Sequence, residues 1–210
     1  MKTITCYLDF ISPYAYLAFE ALPKSLMGVS HRVIYKPVLF AGMLKHHGQL
    51  GPAEIAGKRE WTYRQVVWQA KQLGVVLDMP EAHPFNPLPL LRLAIACSAE
   101  GEPNRYVCET VFKHVWQGGA AADEGGRLQA LTEHLAPQRA LDDAEVKHQL
   151  KANTEEAIAC GVFGVPTFCV DDKLFWGLDA LPMMRAYLDG DQWFDQAWDV
   201  AASIQKGIQR

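Results

Sequence analysis

The sequence predicts an α/β fold in which both ends of the chain build one small sheet and a long helical segment is inserted between them. Stretches rich in β-branched and aromatic residues, typical of strands, lie at 3–8 and 31–40 and again at 164–170 and 173–176. The segment from about 53 to 160 instead carries helical patterns bounded by Gly and Pro. The predicted order is therefore β-α-β, helical block, β-β-α.

Length and composition exclude several classes of protein. A chain of 210 residues, half of them hydrophobic, suits one domain or one domain with a large insertion. The 20 basic and 24 acidic residues give a formal charge of −4, and the nearest approach to a basic cluster is Lys58, Arg59 and Arg64. We therefore expect no binding to nucleic acid or to anionic membranes.

Targeting and cysteine signals favour a cytoplasmic protein. No window approaches about 18 consecutive apolar residues, and the first residues lack the apolar run of a signal peptide. The five cysteines are an odd number with no short pairing. Reduced thiols in the cytoplasm explain them more simply than a disulfide framework does.

The first strand leads through a tight turn into a helix that begins at Ser12-Pro13. Ser is a preferred cap for free N–H groups, and Pro at the first helical position gives up no needed donor. A hydroxyl is thereby predicted at the positive end of the helix dipole. Two interpretations of Ser12 remain open at this point, an ordinary helix cap and a functional hydroxyl.

The second strand and the helices that follow are predicted from pattern. The β-α-β start implies a parallel strand pair with a right-handed crossover, and Pro37 suggests a strand edge or end. Residues 41–52, rich in Gly and His, are predicted to form a loop, and 53–73 a helix. The expected inward face of that helix is Trp61, Val66, Val67, Ala70 and Leu73.

Further helices are predicted over several segments, with an irregular four-proline stretch at 80–89 before them. The helical segments are 90–100, 104–116, 127–135, 142–160 and 179–188. A last amphipathic helix is expected at 191–206. Its aromatic residues Trp193, Phe194 and Trp198 are predicted to be core, with a homodimer patch as the alternative.

Without the helical block, the parallel pair and the hairpin match the thioredoxin fold. The predicted division is a thioredoxin-like domain at 1–45 and 161–210 and a helical insertion domain at 46–160. In this fold the turn after the first strand faces a loop with a cis X-Pro bond, and Val165-Pro166 fits that loop. Its backbone groups could pair with an extended peptide. A trans proline that starts the strand is the alternative.

Redox members of this fold carry Cys-x-x-Cys at the first turn, where this chain has Ser12-Pro13-Tyr14-Ala15. A chain without a dithiol has no intramolecular disulfide to pass on, which disfavours a dithiol oxidoreductase. A Ser hydroxyl and a helix N-terminus can still hold an external thiolate. Glutathione is the obvious candidate for that thiol.

The residues resemble one known family over nearly the whole chain. The motifs are DFISPYAY at 9–16, GQLGP at 48–52, HPFNP at 83–87, FGVPTF at 163–168 and FWGLD at 175–179. They are similar to those of 2-hydroxychromene-2-carboxylate isomerases and of the closely related kappa-class glutathione transferases. This chain departs from the family in having Gln49 where Asn is frequent, and Leu178-Asp179-Ala180 where Asn-Asp-Arg is frequent.

The resemblance implies a glutathione site between the two parts of the chain. Ser12 would hydrogen-bond the glutathione sulfur, and the Val165 backbone would pair with the cysteinyl unit. The γ-glutamyl end would be lined by Trp176, Gly177, Leu178 and Asp179. In the isomerases the thiolate adds reversibly to a ring-opened keto acid, a bond rotates and the thiol is expelled, so that glutathione acts as a cofactor.

An aromatic carboxylate substrate needs a cation and a partly apolar slot. Lys45 and Lys58 are the candidate cations, with solvated surface charges as the alternative, and Phe85 and Asn86 are candidates for the slot wall. A kappa-type transferase and a non-enzymatic thioredoxin-like peptide-binding protein are the competing functions. The pair His46-His47 lacks a third ligand at suitable spacing, so no metal is expected.

Overall fold

Four strands form one mixed sheet in the computed structural model, which describes residues 1–205 and 207. The strands and α-helices in chain order are β1 (Lys2–Leu8), α1 (Pro13–Ser25), β2 (His31–Pro37), α2 (Phe40–His47), α3 (Lys58–Leu73), α4 (Leu88–Ala96), α5 (Arg105–Trp116), α6 (Gly125–Leu135), α7 (Ala144–Ala159), β3 (Thr167–Val170), β4 (Lys173–Trp176), α8 (Leu181–Leu188), α9 (Trp193–Gln196) and α10 (Trp198–Ala202). The predicted α/β, thioredoxin-like class with a large helical insertion is confirmed.

The sheet order β2-β1-β3-β4 confirms the predicted parallel pair and hairpin. β1 runs parallel to β2 and antiparallel to β3, with Tyr7 opposite Thr167. β3 runs antiparallel to β4, with Thr167 opposite Trp176. The end of β1, the start of β3 and the end of β4 therefore lie at the same end of the sheet, although about 160 residues or more separate the first from the other two.

The loop before β3 has the predicted backbone. The Val165-Pro166 peptide bond is cis, as is a second one, His83-Pro84, in the proline-rich stretch before α4. The Pro166 carbonyl accepts a hydrogen bond from the Gly177 N–H at 2.9 Å, which joins the two ends of the hairpin beyond its regular strands.

One hydrophobic cluster extends from the sheet into the helical insertion. It joins Leu8 of β1 and Phe19 of α1 to Phe112 and Trp116 of α5, all of them 0–1% exposed. The rings of Phe10 and Phe112 meet edge to face at 4.9 Å between centroids, a favourable geometry for aromatic pairs. The predicted division into 1–45 with 161–210 and 46–160 stays a prediction, since these residues share a core.

The loop predicted at 41–52 is wrong in its first half, where the structure has helix α2. This helix is anchored by the buried Met43, and Lys45 in its last turn complements the helix dipole. Gly48 ends it in the left-handed conformation at φ +64°. The Gly and His residues that suggested a loop are thus the end of a short helix.

The inward face predicted for α3 is only partly correct. Val66 and Ala70 are buried, at 0% and 3% exposure. The other three residues of that face are exposed: Trp61 at 62%, Val67 at 50% and Leu73 at 44%. α3 also begins later than predicted, because a separate 3-10 turn occupies Pro52–Glu54. The helix thus buries a narrow i, i+4 stripe against its neighbours.

The single last helix predicted at 191–206 is wrong. Two short helices, α9 and α10, are separated at Ala197, whose φ of −121° leaves the helical region. Phe194 is buried and packs against Phe175, which confirms its predicted core role, whereas Trp198 packs against the same ring but is only partly buried. Trp193 is 41% exposed, and Lys206 lies outside the described residues. The homodimer patch stays a prediction.

Candidate functional site

Ser12 lies at the end of the sheet where β1 ends and β3 begins. Its hydroxyl oxygen accepts a hydrogen bond from the Ala15 N–H at 3.2 Å, which caps α1 as the sequence predicts. The same hydroxyl donates to the Val165 carbonyl at 3.4 Å. Ser12 is 8% exposed. The predicted meeting of the first turn with the cis-proline loop is confirmed by this contact.

The buried side chain of Asp9 stabilises the turn that precedes Ser12. Asp9 is fully buried, and its two oxygens accept from the N–H groups of Ile11 at 3.1 Å and Phe40 at 2.9 Å. Burial raises the pKa of Asp9 to about 7, with the backbone hydrogen bonds offsetting part of the effect. Asp9 therefore ties the Ser12 turn to the start of α2.

The helical insertion binds two carbonyls of the same turn. The Trp116 indole N–H donates to the Phe10 carbonyl at 3.0 Å, and His83 Nε2 lies 2.8 Å from the Ile11 carbonyl. Because a carbonyl can only accept, His83 Nε2 must carry the hydrogen. Sequence reasoning missed both contacts. The HPFNP motif drew attention to 83–87 but gave no role to the histidine.

Tyr63 on α3 completes this bridge. Its hydroxyl lies 2.7 Å from His83 Nδ1 and 3.0 Å from the His83 carbonyl. Burial, with a smaller contribution from the Arg59 charge, lowers the pKa of His83, which favours the neutral ring with Nδ1 as an acceptor. A continuous path of hydrogen bonds thus runs from α3 through His83 to the peptide group before Ser12.

The segment after β4 lies beside the cis-proline loop. Gly177 has φ +97°, and a Cβ atom built on it would lie 2.5 Å from Asp179 Oδ1. The glycine therefore permits a close approach of the carboxylate as well as the backbone angle. Asp179 is exposed and belongs to a 3-10 turn (Leu178–Ala180) rather than to the start of the predicted helix.

Two groups beside the cis-proline loop are available to a ligand, the indole ring of Trp176 and the backbone N–H of Val165. The indole of Trp176 is 53% exposed and packs on Phe163 at 4.8 Å between ring centroids. A Cβ on Gly164 would lie 2.7 Å from the Trp176 indole nitrogen, so the loop backbone passes directly beneath this ring. The Val165 N–H makes no hydrogen bond within the described residues, which leaves a backbone donor free for a peptide-like ligand.

Tyr14 connects the site to α3. Its hydroxyl donates to Gln65 Oε1 at 2.7 Å. Burial, followed by the charge of the nearby Asp179, raises the pKa of Tyr14. The segment predicted to bind the γ-glutamyl end therefore lies close to α1, and Tyr14 connects α1 to α3.

Comparison with known proteins identifies the family. Residues 3–189 match the DSBA-like thioredoxin domain. The chain belongs to the DsbA-like thioredoxin family. Within that family, this DsbA-like chain has Ser12 and Ala15 where the redox members carry the two cysteines of Cys-x-x-Cys.

Curated relatives narrow the resemblance. Over 207 residues the DsbA-like chain is 30% identical to 2-hydroxychromene-2-carboxylate isomerase of Sphingobium xenophagum, covering 89% of this chain and 98% of that protein. It is 26% identical to glutathione S-transferase kappa 2 of Caenorhabditis elegans, covering 89% and 92% of the two chains. A solved 2-hydroxychromene-2-carboxylate isomerase superposes with a TM-score of 0.75 at 24% identity, covering 94% and 98%. The family resemblance inferred from the motifs is confirmed.

The four residues predicted to bind substrate lie on helices α2 and α3 and in the segment before α4. Lys45 is exposed on α2, and Lys58 is the exposed first residue of α3. Phe85 is 9% exposed and belongs to the core cluster. Asn86 accepts from the Leu88 N–H at 3.2 Å and so helps to start α4. Within the described residues none of the four contacts Ser12 by a hydrogen bond, and their substrate roles stay predictions.

The cysteines of this DsbA-like chain supply no thiolate at the first turn. All five are free. Cys6, the nearest to Ser12 in sequence, is 2% exposed within β1, and burial raises its pKa to about 12. Cys6 is therefore a poor source of thiolate for the first turn.

Neither a metal-binding cluster nor a membrane-spanning helix occurs in the part of the chain that the structure describes. No group of three or more His, Cys, Asp or Glu residues there could hold a metal ion. No helix in residues 1–205 combines the length and apolar character needed to cross a bilayer.

Proposed function

We propose that this chain is a glutathione-dependent isomerase of the 2-hydroxychromene-2-carboxylate type. The observation that carries the proposal is the Ser12 hydroxyl, which lies at the N-terminus of α1 and faces the cis-proline loop without a protein thiol beside it. Three curated relatives with 26–30% identity bear the isomerase name, which supports the same reaction class.

The residues present fit glutathione. The free Val165 N–H and the adjacent carbonyl can pair with the cysteinyl unit as a neighbouring strand would. The exposed Asp179 carboxylate suits the γ-glutamyl ammonium, and the Trp176 ring with Gly177 and Leu178 would flank it. When bound, glutathione supplies a thiolate that adds reversibly to the conjugated substrate and is released unchanged.

Ser12 would stabilise that thiolate by redirecting its hydrogen. At 3.4 Å the present bond to the Val165 carbonyl is long, so rotation of the hydroxyl toward a sulfur atom gives up little. The dipole of the 13-residue helix α1 adds to the effect, because anions are favoured at helix N-termini. The substrate would be a small aromatic carboxylate. Of the two candidate lysines, Lys58 shares α3 with Tyr63, which bonds His83, and with Gln65, which bonds Tyr14 of α1.

The proposal is tested by isomerase activity on 2-hydroxychromene-2-carboxylate with and without glutathione. Activity should require glutathione, and Ser12→Ala should lower kcat/KM by about 10- to 100-fold through loss of the sulfur hydrogen bond. Ser25→Ala is the matched control, because its hydroxyl only bonds back to the Ala21 carbonyl of the same helix. Equal activity of the Ser12 and Ser25 variants would contradict the mechanism.

A kappa-type glutathione transferase is the second candidate. It would use the same site, and the 26% identical relative from Caenorhabditis elegans bears that name. The two functions differ in the fate of glutathione, which a transferase consumes and an isomerase regenerates. Measuring loss of free thiol with a halogenated aromatic acceptor separates them.

We further propose that the enzyme works in the cytoplasm as a homodimer. The five free thiols suit a reducing compartment. The exposed Trp193 beside the C-terminal aromatic cluster offers apolar surface for a second copy. Sedimentation measurements on the full chain would give the oligomeric state directly.

A further inference from the structure

A cavity of about 690 Å³ lies between helices α2, α4 and α7. Its lining includes Lys45 on α2, Arg92 on α4, and Lys147 and Lys151 on α7. We call this cavity the basic groove. None of its lining residues belongs to the Ser12 site, and nothing in the isomerase mechanism uses it.

The charge of the basic groove opposes that of the whole molecule. Four cationic side chains and one carboxylate, Glu155, are among its lining residues, whereas the chain carries a formal charge of −4. Among the described residues, Glu155 pairs only with Lys151, at 3.6 Å and with both side chains largely exposed, so this pair is weak. Lys45, Arg92 and Lys147 form no ion pair within the described residues. Such a concentration of one sign in a concave surface attracts anions.

Arg92 provides a second, independent observation. Its Nε atom is buried and has no hydrogen-bond partner among the described residues. Guanidinium stays charged at all physiological pH values and has no acceptor, so its donors need an acceptor from elsewhere. The terminal guanidinium nitrogens of Arg92, which unlike Nε are not buried, also make no hydrogen bond within the described residues, and an anionic group in the groove would give them an acceptor.

The floor of the basic groove is apolar. Leu39, Leu88, Leu150 and Ile158 line it between the charged residues. The volume lies within the range of small-molecule sites, about 300–1,000 Å³. A matching ligand therefore combines an anionic head with an apolar body.

We propose that the basic groove binds a small organic anion with an apolar ring system, at a site separate from Ser12. The head group contacts Arg92 and the lysines, and the ring lies on the leucine floor. Carboxylate and phosphate heads share this chemistry, and Arg92 accommodates either in a forked geometry. Lys45, predicted from the sequence to hold the substrate carboxylate, is thereby assigned to this second site.

Calorimetry on the full chain with three probes tests the proposal. We expect 2-naphthoate or 2-naphthyl phosphate to bind and the neutral 2-naphthamide not to bind, and the better of the two anions identifies the head group. Binding should weaken at least about five-fold between about 0.01 and 0.15 M ionic strength, because exposed lysines are screened. Equal binding of the amide, or no binding by either anion, would overturn the proposal.

Two further measurements locate the site. Lys147→Glu should weaken binding about ten-fold or more, whereas Lys24→Glu, an exposed lysine on α1 outside the groove, should change it less than two-fold. Saturating S-methylglutathione should leave the affinity unchanged. Displacement by that compound would assign the anion to the Ser12 site instead, and equal effects of the two lysine variants would reduce the binding to general electrostatics. Neither result depends on isomerase activity.

Discussion

The Ser12 hydroxyl accepts one hydrogen bond and donates another, so a substitution at this position can affect both the helix cap and the proposed contact with sulfur. As an acceptor it caps α1. As a donor it bonds the Val165 carbonyl, and the same hydrogen could instead be donated to a sulfur atom bound nearby. Replacing a serine cap by alanine costs about 1 kcal/mol, whereas glycine costs only a few tenths. A glycine at position 12 therefore removes the hydroxyl with the least disturbance of the helix.

Asp9 should make stability depend on pH. Its folded-state pKa of about 7 lies above the ordinary value of 3.8, so the folded chain binds a proton more tightly than the unfolded chain. This contribution is fully present below about pH 4, and it is lost as the pH rises through about 7. The difference between the two pKa values corresponds to a loss of about 4 kcal/mol in the free energy of unfolding. The free energy of unfolding, measured against urea at several pH values, should therefore fall relative to that of Asp9→Asn between pH 5 and 7. If the free energy of unfolding of the wild type and of Asp9→Asn varied with pH in the same way, the proposed role of Asp9 would be contradicted.

A side chain at Gly177 should strain the backbone and displace the flexible Asp179 carboxylate. Its φ of +97° disfavours any Cβ, and that atom would also meet Asp179 at 2.5 Å. Gly177→Ala should weaken glutathione binding about ten-fold by displacing the carboxylate, as measured by calorimetry.

Gly190→Ala is the control for that experiment, because this residue has φ +82° but nothing within 4 Å of the added atom. It should destabilise the fold by about 1–2 kcal/mol without changing glutathione affinity. Equal affinities for the two variants would exclude the role of Asp179.

At the scale of elements, the bridge from α3 through His83 to the Ile11 carbonyl joins the insertion to the functional turn. Tyr63→Phe removes the donor to His83 Nδ1 and frees the ring to reorient. We expect kcat of the isomerase reaction to fall about three- to ten-fold with little change in KM for glutathione, because the hydroxyl does not contact the site that would bind it.

Tyr106→Phe is the matched control for this positioning role. It removes another tyrosine–histidine contact, the 3.0 Å pair with His134, which lies at the exposed meeting of α5 and α6. It should leave both kinetic parameters unchanged. If Tyr63→Phe lowered stability without changing kcat, the hydrogen bond from Tyr63 to His83 would have a structural role and no role in positioning the Ser12 turn for catalysis.

The elements that the sequence predicts are those with local signals. Strands β1, β3 and β4 and the start of α1 follow from β-branched runs and from Ser12-Pro13. α2 was missed because its glycine and histidines resemble a loop until Met43 is seen to be buried. The exposed Trp61 shows that helical spacing identifies an apolar stripe but not whether a neighbouring element covers it.

At the scale of the whole molecule, the sheet topology brings the site together. Residues 12, 165 and 177 meet because β1 ends where β3 begins and β4 ends. The thioredoxin arrangement is regular enough to be inferred from the order of elements, and Ser12 and Val165 with it. Contacts such as Trp116 with the Phe10 carbonyl join residues 106 apart in the chain. No local pattern encodes them, so they emerge only from packing.

The central claim is that Ser12 stabilises the thiolate of bound glutathione. The most direct test of this claim is the pKa of the glutathione thiol in the complex. Thiolate absorbance near 240 nm, titrated in the presence of the full chain, should give a pKa at least about one unit below the ordinary thiol value of about 8.5. Ser12→Gly should bring it back toward that value while α1 remains folded. A bound thiol that titrates as it does in free solution, with serine and glycine alike at position 12, would contradict the account.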